Sequence, residues 1–195
     1  MKHSILLAAL SFSFIFSDCN QTRQVQRIDP NQVLDLSGRW NDIDAKLVAE
    51  EMTKDVLNRP WKTVFETKHN KKPTVIVGQI KNKSSEHIDA TNFIKNIERE
   101  FINSGTVSVV QSGDARVEVR NERNDQQTFA SEETRKKWAK EKGADYMLNG
   151  VITSIVDEYK KEKIVSYQVN LELTDLETNE KVWLGEKQIK KFVKN

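Results

Sequence analysis

The stretch SYQVNLELTDLETNEKVWLGEKQIKKF constrains the fold more than any other part of the chain. Tyr167, Val169, Leu171 and Leu173 alternate with Gln168, Asn170, Glu172 and Thr174. A period of two with one apolar and one polar side describes a strand in a sheet buried on one face and wet on the other, which antiparallel pairing allows. Asn179 takes a positive-φ turn position more readily than most non-glycine residues, so the stretch reads as a hairpin. The preceding YMLNGVITSIV is mostly apolar on both sides. The C-terminal part is therefore all strand, and its buried face needs a covering layer.

The rest of the chain supplies that layer. Ile43, Leu47, Val48, Met52 and Val56 recur at helical spacing. Asn41 is the expected N-cap, Asp42 and Asp44 favour the positive helix end, and Pro60 marks the exit. This predicts a helix over 42–58. PTVIVGQIKNKS carries a β-branched core from Val75 to Val77, followed by Gly78 and a polar turn, and reads as an interior strand. TNFIKNIEREFINSG predicts a second helix. Thr91 is its expected cap, Phe93, Ile94, Ile97 and Phe101 form its stripe, and Gly105 its left-handed C′ residue. TVSVVQS predicts a short strand. DARVEVRNERNDQQTF stays open: Val117 and Val119 alternate with charges as in a strand, whereas Asp114 as a cap and the charge density favour a helix. SEETRKKWAKEKGAD predicts a helix capped by Ser131 and ended by Gly143, with Trp138 and Ala139 towards the core. The expected architecture is α/β (α+β), a sheet of four to five strands packed with helices.

Lys2 and His3 precede an apolar run from Ile5 to about Phe16. That is shorter than the roughly 20 residues of a membrane-spanning helix and fits a secretory signal. Cys19, the only cysteine, follows at once. The arrangement resembles a bacterial lipoprotein signal, in which the cysteine becomes the first mature residue and carries the lipids. Phe16 and Asp18 stand where that pattern usually has Leu and a small residue. A lone exported thiol has no internal partner, and acylation explains it. The predicted organisation is a signal peptide over 1–18, a lipidated cysteine and short flexible tether over 19–34, and a single globular domain over 35–195. Fully extended, the tether's roughly 15 residues reach at most about 50 Å.

Composition excludes several functions. The chain has 31 Lys and Arg against 29 Asp and Glu, and its lysine clusters KHNKK, KKEK and KQIKK are interleaved with acids or followed by few aromatics. No nucleic-acid partner is expected, because a nucleic-acid groove needs a basic face with stacking rings. The two histidines of the body, His69 and His87, give no zinc-ligand spacing. There is no G-x-S-x-G elbow and no glycine-rich phosphate loop. No metal, cofactor or catalytic residue is assigned, and the chain is read as not an enzyme. Asn82-Lys83-Ser84 matches a glycan acceptor pattern by chance. Trp183 is either a packing or a partner-contact residue, and Trp40 either a hydrophobic staple or an exposed anchor.

The phrases DLSGRWNDIDAKLVAEEM, GQIKNKSSEHIDATNF, NSGTVSVV, EVRNERNDQQ, KGADYMLNGVITSIVD and YQVNLELTDLETNEKVWLGEKQIKK occur in order from Asp35 to Lys191. Together they resemble the LpoB family of lipoprotein activators of penicillin-binding proteins. The resemblance implies a mixed, largely antiparallel sheet flanked by helices, similar to the amino-terminal domain of TolB, with the Val117 segment helical. It also implies an outer-membrane lipoprotein facing the periplasm, without cofactor, expected as a monomer. Its partner would be a bifunctional class A penicillin-binding protein, whose glycan polymerisation and peptide cross-linking it stimulates. Enterobacterial members have a long Pro-rich tether where this chain has about 15 residues. Asn20 follows Cys19 in place of the Asp that retains enterobacterial lipoproteins in the inner membrane. Arg39 and Trp40 are the expected partner-binding residues. The alternative is a structural or assembly lipoprotein of the envelope that uses the same fold without regulating an enzyme.

Overall fold

The computed structural model describes residues 25–30, 32–133 and 141–194. Two units separate, Met1–Gln32 and Val33–Asn195. The described residues of the first form neither helix nor strand. Every buried hydrophobic residue found among the described residues lies in the second. Its elements are α1 (Asp42–Leu57), α2 (Trp61–His69), β1 (Thr74–Lys83), α3 (Thr91–Ser104), β2 (Ser108–Val110), α4 (Gly113–Phe129), β3 (Tyr146–Tyr159), β4 (Glu162–Asp175) and β5 (Lys181–Lys194). One five-stranded sheet has the order β2-β1-β3-β4-β5. β1 pairs parallel with β2 and β3, and the long β3–β4 and β4–β5 pairings are antiparallel. The mixed sheet flanked by helices agrees with the sequence reading.

The alternation in β4 works as its periodicity demands. Val165, Tyr167, Val169, Leu171 and Leu173 are buried, and the residues between them are not. The same core takes Val75 and Val77 from β1, Leu148 and Ile152 from β3, Val48, Met52 and Val56 from α1, and Phe93, Ile97 and Phe101 from α3. The helices α1 and α3 thus cover one face, and among the described residues the other face of β3–β4–β5 carries no helix of that core.

Asn41 caps α1 with a full capping box: its side chain accepts from the Asp44 N–H, and Asp44 accepts from the Asn41 N–H. Leu47 departs from its expected stripe and is exposed, because Ala45 and Ala49 take the neighbouring core positions. Helix α2 was not read from the sequence. Pro60 ends α1 and starts α2 at once, and Trp61 and Phe65, four apart, anchor it edge-on to Tyr146. Gly78 does not close β1. The strand runs on to Lys83, and its register shifts between Val77 and Ile80, so the glycine marks a bulge. A Cβ there would overlap the Asn149 side chain. Thr91 is not the cap of α3 but its first helical residue; Asp89 Oδ1 accepts from the Thr91 N–H instead, at 2.8 Å. Gly105 takes the left-handed position at φ 64°.

The ambiguous Val117 segment is helix α4. Asp114 lies inside its first turn, behind Ser112 at the cap position. None of its residues is buried, so the Val117/Val119 alternation has no core to face. Surface bonds hold the helix, chiefly the two-pronged pair Arg120 to Glu141 at 2.7 and 2.9 Å. Of the predicted helix in SEETRKKWAKEKGAD, 134–140 fall outside the described residues, with Trp138 and Ala139. Asn179 has φ 62°, as the hairpin turn requires.

Candidate functional site

The open face of β3–β4–β5 follows from register. Asn149, Glu172 and Leu184 lie side by side, and so do Val151, Asn170 and Glu186. Lys81 of β1 pairs with Val151 and extends the second row. A groove of about 860 Å³ runs over this half of the face, between these rows and the start of α4 at Ser112 and Gly113. Leu184 is 68% exposed at its rim. The groove mixes an aliphatic surface with Lys81, Glu172 and Glu186, as the rim and centre of a protein interface do.

The reverse side of this face is tied to α1 at three points along β5. Trp183 Nε1 donates to Asp55 Oδ2 at 2.8 Å, Lys187 pairs with Glu51 at 2.5 Å, and Lys191 pairs with Asp44 at 2.6 Å. Burial works against ionised Asp55, but the bonds from Arg59 and Trp183 outweigh it and hold its carboxyl below the ordinary range. Trp183 is therefore a packing residue: it is buried, and its ring fills the space over Gly185.

The lead-in before α1 closes the core at the other end of the sheet. Lys191 Nζ also reaches Asp35 Oδ1 at 2.6 Å and the Arg39 carbonyl at 3.0 Å. Burial pulls the Lys191 ammonium down, but its bonds to Asp35 and Asp44 win and raise it. The same bond holds Asp35 below its ordinary value. The Tyr167 hydroxyl donates to Glu86 Oε1 at 2.7 Å, and the Trp40 N–H donates to Glu86 Oε2 at 3.2 Å. Burial, then the bond to Glu86, pushes the Tyr167 hydroxyl above its usual range.

The expected partner residues sit on this lead-in. Arg39 is exposed. Trp40 is half-buried, edge-on to Phe93 at 6.4 Å and to Tyr167 at 5.6 Å. Its indole packs across to α3 and β4. Cys19 lies outside the described residues. The Asn82 amide is occupied in a turn, donating to the Glu86 carbonyl at 2.7 Å. Sequence reasoning missed the groove. The signal that could have found it is the polar side of the β4 alternation together with the outward Leu184.

Among the described residues, no three His, Cys, Asp or Glu side chains are grouped to hold a metal ion. No helix among them is long and apolar enough to cross a membrane.

The family model described as peptidoglycan-synthase activator LpoB matches residues 44–189, which include both groove rows. The chain belongs to the LpoB family. Solved structures similar to this LpoB-family chain include the LpoB C-terminal domain from Escherichia coli, at 14% identity and TM-score 0.49, covering 75% of this chain and 98% of that one. The LpoB C-terminal domain from Salmonella enterica is 15% identical at TM-score 0.42, with the same coverage. The NMR structure of E. coli LpoB is 11% identical at TM-score 0.42, covering 100% of this chain and 94% of that one. A search of curated proteins found no match. The LpoB assignment rests on the family match over 44–189.

Proposed function

We propose that this LpoB-family chain is a periplasm-facing lipoprotein of the outer membrane, anchored through Cys19, whose body binds and activates a class A penicillin-binding protein. The observation that carries the reading is the match of residues 44–189 to a family of peptidoglycan-synthase activators. The open groove over β3–β5 supplies a docking face that no core helix among the described residues covers. Activation follows if the body binds the active conformation of the synthase more tightly than the resting one, since a ligand shifts an equilibrium only by its differential affinity. Arg39 and Trp40 stand in this proposal as a second, separate contact.

The test combines binding and glycan polymerisation with each class A penicillin-binding protein of the same organism. Leu184→Asp with Glu186→Lys is expected to weaken binding at least about tenfold, a change of about 1.4 kcal/mol, without changing the thermal midpoint. Arg39→Ala reads the second contact. Binding without acceleration would favour a scaffold over an activator.

A further inference from the structure

The half of the open face farthest from the groove ends in an uncovered apolar tip. Ile164 on β4 stands directly opposite Phe192 on β5. Ile155 and Tyr159 on β3 face Ser166 and Glu162, so both flank Ile164 diagonally, within reach of long side chains. Their exposures are 73% for Ile155, 71% for Tyr159, 41% for Ile164 and 62% for Phe192. Isolated exposed apolar residues are ordinary, but four at one strand end, grouped around the single acid Asp157, mark an interaction site.

The surroundings identify the occupant by charge and by chain path. On this face Asp157 stands opposite Ile164, and Glu162 pairs with Lys194 at 3.4 Å; Lys190 and the turn residues Lys160 and Lys161 add three further cations at the edge, so cations exceed acids. Lys160 Nζ lies 5.1 Å from the Tyr159 ring centroid, an aromatic body with a cationic head that suits a membrane–water interface. The chain also joins the body at this end. Asp35 is bonded to Lys191, the Gly38 carbonyl accepts from Tyr167, and Gly38 abuts Val193, the neighbour of Phe192. The path from Cys19 to Asp35 is short. Fully extended, its roughly 15 residues reach at most about 50 Å. A lipid surface at Cys19 is therefore within reach of the end of the body where Asp35 bonds Lys191 and Gly38 abuts Val193.

We propose that Ile155, Tyr159, Ile164 and Phe192 form a lipid-contacting tip that rests on the anionic phospholipid surface carrying the anchor. This rests on the reading of Cys19 as the lipidated residue. Contact at the tip orients the body: the β4–β5 turn and the groove point away from that membrane, towards the opposite side of the envelope.

The test uses the chain from residue 19 onward, which contains every buried hydrophobic residue found. Its single thiol is coupled to a maleimide lipid in bilayer discs of phosphatidylethanolamine and phosphatidylglycerol doped with a gadolinium-headgroup lipid. Amide signals of 155–164 and 190–194 are expected to lose at least half their intensity, while those of 176–179 persist. Ile164→Ser with Phe192→Ser, or salt of about 1 M, is expected to restore them. Broadening spread evenly over the body, or centred elsewhere, overturns the proposal. So does broadening of the tip signals that grows with protein concentration in the absence of lipid, which would assign the tip to a second copy. The coupling is chemical, so this result does not depend on natural acylation. Failure of the anchor reading shows separately, as a Cys19→Ala chain that stays in the membrane fraction of cells.

Discussion

Lys191 Nζ lies 2.6 Å from Asp44 Oδ2, and both side chains are more than nine-tenths buried. The pair ties the last strand to the first turn of α1, where Asp44 also completes the capping box. Removing one partner leaves the other charge buried and uncompensated, which typically costs about 3 kcal/mol or more. Lys191→Met is therefore expected to lower unfolding stability by about 3 kcal/mol, with an unchanged denaturant slope. A loss below about 1 kcal/mol would place the pair with ordinary surface ion pairs.

The pH profile should fall at both ends. Asp35 and Asp55 are held below their ordinary value of 3.8 in the folded state. Their contribution is present above that value and is lost as pH falls below it. Lys191 is raised above 10.5, and burial pushes Tyr146 up from 10.0 to about 12. Groups raised on folding contribute fully below their unfolded values and lose that contribution as pH climbs through the folded ones. Thermal midpoints are expected to be flat near neutrality, to drop below about pH 4, and to drop again from about pH 10 to 12. Lys191→Met should make the alkaline limb shallower.

Two glycines with similar backbone angles should respond differently. Gly38 and Gly105 have φ of 68° and 64°. A Cβ on Gly105 would meet open space, so Gly105→Ala should cost only the left-handed penalty of about 1 kcal/mol. A Cβ on Gly38 would overlap Val193 Cγ2. Gly38→Ala should cost about 2–3 kcal/mol, and adding Val193→Ala should recover part of the loss. Equal costs at the two sites would contradict the close approach of Gly38 to β5.

Thr74 is fully buried in β1, and its hydroxyl has no hydrogen-bond partner among the described residues. Thr74→Val keeps the shape and removes the stranded polar atom. It should stabilise the body by up to about 1 kcal/mol, read as a higher denaturation midpoint. A destabilisation would show that the hydroxyl has a bonding role.

Much of this fold was legible because its signals are local. The β4 alternation, the Asn41 cap, the Phe93–Phe101 stripe and Asn179 each act within a few residues. Helix α2 was hidden because only Trp61 and Phe65 commit it, and their partner Tyr146 is remote in sequence. Helix α4 was ambiguous because its stability comes from Glu141 and from its own surface rather than from a core face. The bulge at Gly78 depends on Asn149 across the sheet. The groove and the tip were hardest to foresee, since both arise only when the polar sides of separate strands come into register.

The proposed function requires this LpoB-family body to dock on a peptidoglycan synthase through the open face of its sheet. The most direct measurement adds the body to each class A penicillin-binding protein of the same organism and follows binding and glycan polymerisation together, with Leu184→Asp/Glu186→Lys as the control. The expected result is binding and a faster rate with one synthase, both lost in the control while its fold and midpoint are unchanged. Failure to bind any of them, or equal binding and acceleration by the control, would contradict it.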